Sequence, residues 1–273
     1  MDGRPHQVTT APDDAPYAEV LRRRGRPLAA MPERDPVIDA TAPHLRRAVG
    51  ETWHRRSHEE LKASMAFTLL ARELLEVGAA PEALSRVARA VGDEVRHAEA
   101  LRALASRYLG EDAAWPPAVV VEAGPLGDAP RIRASLHAVA LGCVNETIAS
   151  VFIEASHDAA ESPSARATLG LILADEVEHG RAGWTYLASV RDDRAVMRAV
   201  QSELAAIVRR VSACWFDDAA ITIPAGAPEH GLLSNADTHR CVVTALRELV
   251  IPGFAQVGLD VTEAARVMAE LGA

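Results

Sequence analysis

Two stretches decide how this chain folds: GDEVRHAE at residues 92–99 and ADEVEHGR at residues 174–181. Both contain Asp-Glu-Val-x-His. On a helix, residues i and i+3 share a face, so Glu94 points with His97 and Glu176 with His179. The helical neighbours of Glu94 are Val87, Ala90, Val91, Ala98 and Leu101; those of Glu176 are Leu169, Ile172, Leu173, Gly180 and Gly183. Each face is apolar, with an acid and an imidazole set into its middle. A buried carboxylate costs several kcal/mol unless it is paired or metal-bound. One Glu-x-x-His alone is usually solvated helix surface, but two in the same register ask for an explanation.

Outward from these motifs the chain divides into two similar halves. HEELKASMAFTLLARELLEVG, part of a helical pattern beginning at Trp53, runs to Gly78, a natural helix stop. Pro81 suits the first turn of a second helix, which carries the first motif to about Tyr108, with Gly110 beyond. A third helix is expected from about Arg131 to Asp158. Ser162-Pro163 then reads as an N-cap and first turn of a fourth, which carries the second motif. Short loops make the first and second helices antiparallel, and likewise the third and fourth. The roughly 20-residue link between the pairs holds Pro116, Pro117, Gly124, Pro125, Gly127 and Pro130, so it cannot be regular structure. Extended at about 3.3 Å per residue it can run the length of a bundle. The expectation is an all-α four-helix bundle with a long crossover between helices two and three.

Composition agrees. The 273 residues are 49% hydrophobic and 25% charged but only 4% aromatic, which favours helices over strands. A net charge of -9 with no basic stripe argues against nucleic acid as a partner, and Arg22, Arg23, Arg24 and Arg26 read as part of a solvated arm. No uninterrupted apolar run reaches the ~18 residues that span a bilayer, and MDGRPHQVTTAPDDAP lacks a signal-peptide centre. Cys143, Cys214 and Cys241 suggest neither a disulfide framework nor a thiolate metal site. A cytoplasmic protein with reduced thiols is expected. The domain reading is a lead-in over 1–45 with at most one short helix, a bundle over 46–190, and a helical C-terminal extension over 191–273 packed on the bundle.

The helices before each motif supply the matching acids. Glu146 in GCVNETIAS stands alone on a stripe of Val139, Cys143, Ala149, Ser150 and Ile153. Glu60 has Ala63, Ser64, Phe67 and Leu74 on its face, and Glu60-x-x-Ala-Ser64 repeats as Glu146-x-x-Ala-Ser150. Glu59 competes, but its i+3 partner is Lys62, which points to solvent. A bundle dimetal site takes one Glu from each of two helices and a Glu-x-x-His from each of the other two.

Glu60, Glu94-x-x-His97, Glu146 and Glu176-x-x-His179 together resemble the ligand set of the ferritin-like di-iron carboxylate proteins, among them rubrerythrin, bacterioferritin and the di-iron oxygenases. The resemblance covers roughly residues 50–190. HEELKASMAFTLLARELLEVGA and GCVNET also resemble a group of bacterial ferritin-like domain proteins. It implies two metal ions held by four carboxylates and two imidazoles, a donor mix suited to iron, with manganese as the alternative. Glu60 and Glu146 would each serve one ion, Glu94 and Glu176 would bridge, and His97 and His179 would cap one each. Asp93 and Asp175 would accept the remaining imidazole N–H groups. Ser150 would hydrogen-bond the activated oxygen, or else be a small residue that lets helices pack closely.

The implied chemistry is O2-dependent oxidation. A radical-generating subunit would carry a tyrosine where Leu101 stands, and the four-cysteine iron site of a rubrerythrin cannot be built from three scattered cysteines. The C-terminal residues hold three further helical patterns and the loop ITIPAGAPEHGLLSNAD, fitting either a pocket wall or a homodimer surface. The first expectation is therefore a di-iron oxidase or oxygenase acting on a small organic molecule in specialised metabolism, supplied by an external electron donor. A ferroxidase or peroxide-detoxifying protein comes second, and a metal-binding bundle without turnover third.

Overall fold

The computed structural model describes residues 31–117, 129–217, 223 and 226–272. The arginine cluster near the N-terminus, the middle of the crossover with Gly124, Pro125 and Gly127, and Pro224 lie outside them. Among the described residues there are helices and no strands. A short helix α1 (Pro36–Ala40) precedes α2 (Pro43–Glu76) and α3 (Pro81–Leu109). After the crossover come α4 (Pro130–Ala138), a π-helical turn (Val139–Asn145) and α5 (Glu146–Ala159), followed by α6 (Pro163–Ser189). The C-terminal layer consists of α7 (Arg194–Asp217), α8 (Asn235–Ala245), a second π turn (Leu246–Val250), α9 (Ile251–Gln256) and α10 (Thr262–Leu271). This is the ferritin-like four-helix bundle with added C-terminal helices.

Punctuation in the sequence sets most of the boundaries. Pro81 and Pro163 occupy first turns, Gly110 ends α3 with φ 75°, and the Ser162 hydroxyl accepts from Ala165 N–H at 3.2 Å. The first helix departs from expectation. It begins at Pro43 rather than Trp53, because Val49 and Trp53 bury against Tyr108 and Leu104 in one apolar cluster. Asp35 joins the start of α1 to the start of α6. Its Oδ1 accepts from Val37 and Ile38 N–H, and its Oδ2 from the Ser162 hydroxyl at 2.6 Å and Ser164 N–H at 2.9 Å.

The third helix is also not a plain α-helix. Gly142 and Gly183 meet so closely that a Cβ built on either would lie 2.6 Å from the other's backbone, and the π turn occupies that stretch. By length and composition the whole helix Pro130–Ala159 is long and apolar enough to cross a membrane, even though no uninterrupted apolar run marks it. More than half of that apolar stretch is buried inside the bundle, and Glu146 lies in its middle.

The core of the described residues has two large apolar masses and a small third around Phe152, Leu233 and Cys241. One large mass gathers Phe67, Leu70, Val87, Ala90, Val144 and Leu187; the other gathers Trp53, Leu101, Leu104, Tyr108, Leu169 and Ile172. Along α2, α3 and α6 the ligand candidates fall between the two. The bundle thus encloses a polar layer with a dry layer on either side.

Candidate metal centre

Six ionisable side chains meet in that layer. Glu94, His97, Glu146, Glu176 and His179 are each at most 4% exposed, and 17% of the Glu60 side chain is exposed. One donor atom from each of Glu60, Glu94, His97 and Glu176 lies within 4.8 Å of the others; Glu94, Glu146, Glu176 and His179 form a second such quartet. The quartets share Glu94 and Glu176. The side chains expected to lie between two ions are the ones common to both groups.

The imidazoles are aimed alike. His97 Nδ1 lies 3.3 Å from Glu94, 3.4 Å from Glu176 and 3.5 Å from Glu60. His179 Nδ1 lies 3.0 Å from Glu94, 3.7 Å from Glu176 and 3.9 Å from Glu146. Four inward atoms, Glu94 Oε2, Glu176 Oε2, His97 Nδ1 and His179 Nδ1, are buried without a well-formed hydrogen bond. Buried polar atoms of native proteins are nearly always satisfied, and these four orphans, two from each motif, face one another at one point. Cations there would satisfy them. The residues present fit a pair of divalent ions bound by oxygen and nitrogen, iron or manganese in kind.

Behind the imidazoles the outer contacts cross between helices. His97 Nε2 faces Asp175 at 3.4 Å, and His179 Nε2 faces Asp93 at 3.5 Å. Each aspartate therefore serves the histidine of the other motif, across the α3–α6 seam. One guanidinium ties the two together: Arg96 donates to Asp93 and, at 2.8 Å, to Asp175. Arg89 adds contacts of 3.3 Å to Asp93 and 3.8 Å to Asp175. With Nε2–H given to a carboxylate, a neutral ring at either position would carry its lone pair on Nδ1, facing inward.

Protonation follows from this crowding in the metal-free protein. Desolvation, despite the His97 contact, pushes the Glu60 carboxyl up to about 8. Desolvation and the Glu176 and Glu94 charges raise Glu146 well above the carboxylate range. Against desolvation, the His179 and His97 contacts hold Glu176 low. Against desolvation and the Glu176 charge, the same imidazoles hold Glu94 below its usual value. Burial opposes charging His179, yet Asp93, Glu176 and Glu94 raise it to about 12; His97 is raised well above its usual value in the same way. Despite its own desolvation, Asp93 is held down at about 2 by His179 and Arg96. Without metal, protons thus take the place of cations.

A cavity of about 410 Å³ opens onto the carboxylate side of this cluster. Its walls include Ala63 and Ala66 of α2, Ala149 and Phe152 of α5, and Trp215 of α7, and Glu60, Glu94, Glu146 and Glu176 line its floor. Ser150 is not brought to the centre. Its hydroxyl donates to the Glu146 backbone carbonyl at 2.9 Å, within its own helix, and it does not line the cavity. Ser64 ties α2 to α3 by donating to the Val91 carbonyl at 3.0 Å. Two residues had no place in the sequence reading of the site. Asn145 donates to Glu146 Oε1 at 3.1 Å, and Trp215 donates to Asn145 at 3.1 Å. The signal for Asn145 was its place directly before the lone Glu in GCVNET; nothing local marked Trp215.

No family model matches the chain, and no curated protein sequence does. Among solved structures, it is similar to a protein from Synechococcus described as having aldehyde deformylating oxidase activity. The two are 20% identical with a TM-score of 0.58, over 85% of this chain and 98% of that one. That likeness is one of fold: two sequences that differ at four positions in five share the helical bundle.

Proposed function

We propose that this protein is a di-iron oxidoreductase that uses O2 and an external electron donor to oxidise a small organic molecule. The observation that carries this reading is the pair of overlapping donor quartets lying at the floor of a largely apolar cavity. A volume of about 410 Å³ falls within the range of small-molecule sites. The alanine, phenylalanine and tryptophan walls favour an organic substrate over an inorganic one, with Arg56, Glu59 and Lys62 also lining the cavity.

Glu94 and Glu176 would lie between the ions, with Glu60 and His97 completing one position and Glu146 and His179 the other. When bound, the two ferrous ions supply the electrons for activating O2. The chain does the rest. The Asp175–His97 and Asp93–His179 contacts keep each Nδ1 lone pair inward. The apolar layers exclude water from either end of the site. Glu60, the most exposed of the six, is where protons would enter and leave. The Ala63, Ala66 and Phe152 walls would orient an organic molecule above the carboxylates. The activity of the similar Synechococcus protein makes aldehydes the first substrate class to try.

The test is anaerobic loading with Fe(II), then O2 and a reductant, with and without a panel of aldehydes. The expected result is about two irons per chain and O2 consumption that rises with an organic compound. Oxidation of many irons per chain, indifferent to organic compounds, would instead indicate a ferroxidase. A chain that takes up no iron would remove both enzymatic readings.

A further inference from the structure

Asn145 closes the π turn one residue ahead of Glu146, and Trp215 stands near the end of α7. An indole N–H can only donate. Its 3.1 Å contact therefore fixes the amide with Oδ1 toward Trp215 and the NH2 group toward Glu146 Oε1. Glu146 Oε2 is left facing inward, 3.9 Å from His179 Nδ1. In the other half the residue before the ligand is Glu59, which turns out to solvent and pairs with Lys62 at 2.8 Å. The two lone carboxylates are thus held differently, although their local sequences match. Trp215 is anchored by its ring as well, 5.3 Å from Phe152, and both Trp215 and Asn145 line the cavity.

We propose that Trp215 and Asn145 are positioning residues that hold Glu146 to one-oxygen attachment, through Oε2, at the metal position shared with His179. By this route the C-terminal layer takes part in the metal centre. The inference rests on the dimetal reading above. The amide occupies Oε1, and once a metal ionises the carboxyl this becomes a hydrogen bond to a charged acceptor, the stronger kind. Without the indole the amide is free to turn, and without the amide Glu146 is free to offer both oxygens.

The metal-free full-length protein, Trp215→Phe and Asn145→Leu are titrated with Co(II), following the visible spectrum and competition with a chelator. Phenylalanine keeps the ring against Phe152 and removes only the donor. Wild type should take two Co(II) ions. Each variant should also take two, with one of them weakened about 10- to 100-fold. The visible bands of that ion should lose intensity as its coordination number rises, while the other ion keeps both affinity and spectrum. Unchanged affinities and spectra in both variants would overturn the positioning role and leave the dimetal reading standing. Equal weakening of both ions together with a lower Tm would also overturn it, since that is loss of packing. A wild type that binds no Co(II) would bring down the dimetal reading, and this inference with it.

Discussion

Glu146 shows what the site costs the fold. It is 2% exposed, and desolvation with two neighbouring carboxylates keeps it protonated in the metal-free protein. Burying a carboxyl among other carboxylates carries a desolvation cost that an apolar side chain of similar length does not, and functional sites trade stability for activity. Glu146→Met should therefore raise the metal-free Tm, by about 1–2 kcal/mol in stability, and lower metal uptake below two ions per chain. Thermal unfolding and metal analysis check both; a Tm that falls as in an ordinary core truncation would mean that Glu146 serves packing. The six converging side chains were legible because Glu-x-x-His recurs on two apolar faces and each preceding helix carries one acid on its stripe. The crossing of Asp93 to His179 and Asp175 to His97 was not, because spacing along one helix says nothing about the seam between two. Ser150 has the right register, but its hydroxyl donates to the Glu146 carbonyl within its own helix, a local bond that register does not reveal.

Gly142 and Gly183 set the distance between two helices at the level of the candidate metal centre. Gly142 lies one turn before Glu146, and Gly183 one turn after His179. Their backbones touch, so a methyl group on either meets main chain at 2.6 Å. In a helix interior alanine is favoured over glycine by about 1 kcal/mol, while overpacking costs about 1–3 kcal/mol and sometimes more. Here the obstacle is backbone, which cannot rotate aside, and the clash should win. Gly183→Ala should destabilise by about 2 kcal/mol and weaken metal binding, as Glu146 and His179 are forced apart. Gly92 in α3 is the control, since nothing lies within 4 Å of a Cβ built there; Gly92→Ala should raise Tm. Equal responses of the two variants in thermal unfolding would refute the close-contact argument. Helix ends at Pro81, Gly110 and Pro163 were readable because proline and glycine act locally. The π turn was not, since it lies where one helix presses on another far away in the chain. The early start of α2 was missed for a related reason: Val49 and Trp53 are helical because Tyr108 and Leu104 are there to cover them.

At the scale of the whole molecule, a period and its punctuation specified the bundle even though the similar solved structure shares only 20% of its residues. What that pattern lacked was the way the C-terminal layer reaches the site, because Trp215 makes its contact only after α7 has packed. With the six side chains read as metal ligands, the polar layer should also make the stability of the whole fold depend on metal and on pH. In the metal-free protein at pH 7, Glu60 holds a proton with a value of about 8, and His179 one with a value of about 12. His97 and Glu146 are raised as well. Metal ligands must be deprotonated, so binding releases these protons and tightens as pH rises. Each proton released adds about 1.4 kcal/mol of affinity per pH unit. The Glu60 share ends above pH 8, where that carboxyl is already ionised, whereas the His179 share continues. At 100 times Kd a ligand stabilises the native state by about 2.7 kcal/mol, a Tm gain of roughly 5–10 °C for a chain of this size. Thermal unfolding with and without a fixed concentration of Mn(II) should give a larger gain at pH 8 than at pH 6. A gain that is flat or shrinks across that interval would mean the six side chains hold no protons for a metal to displace.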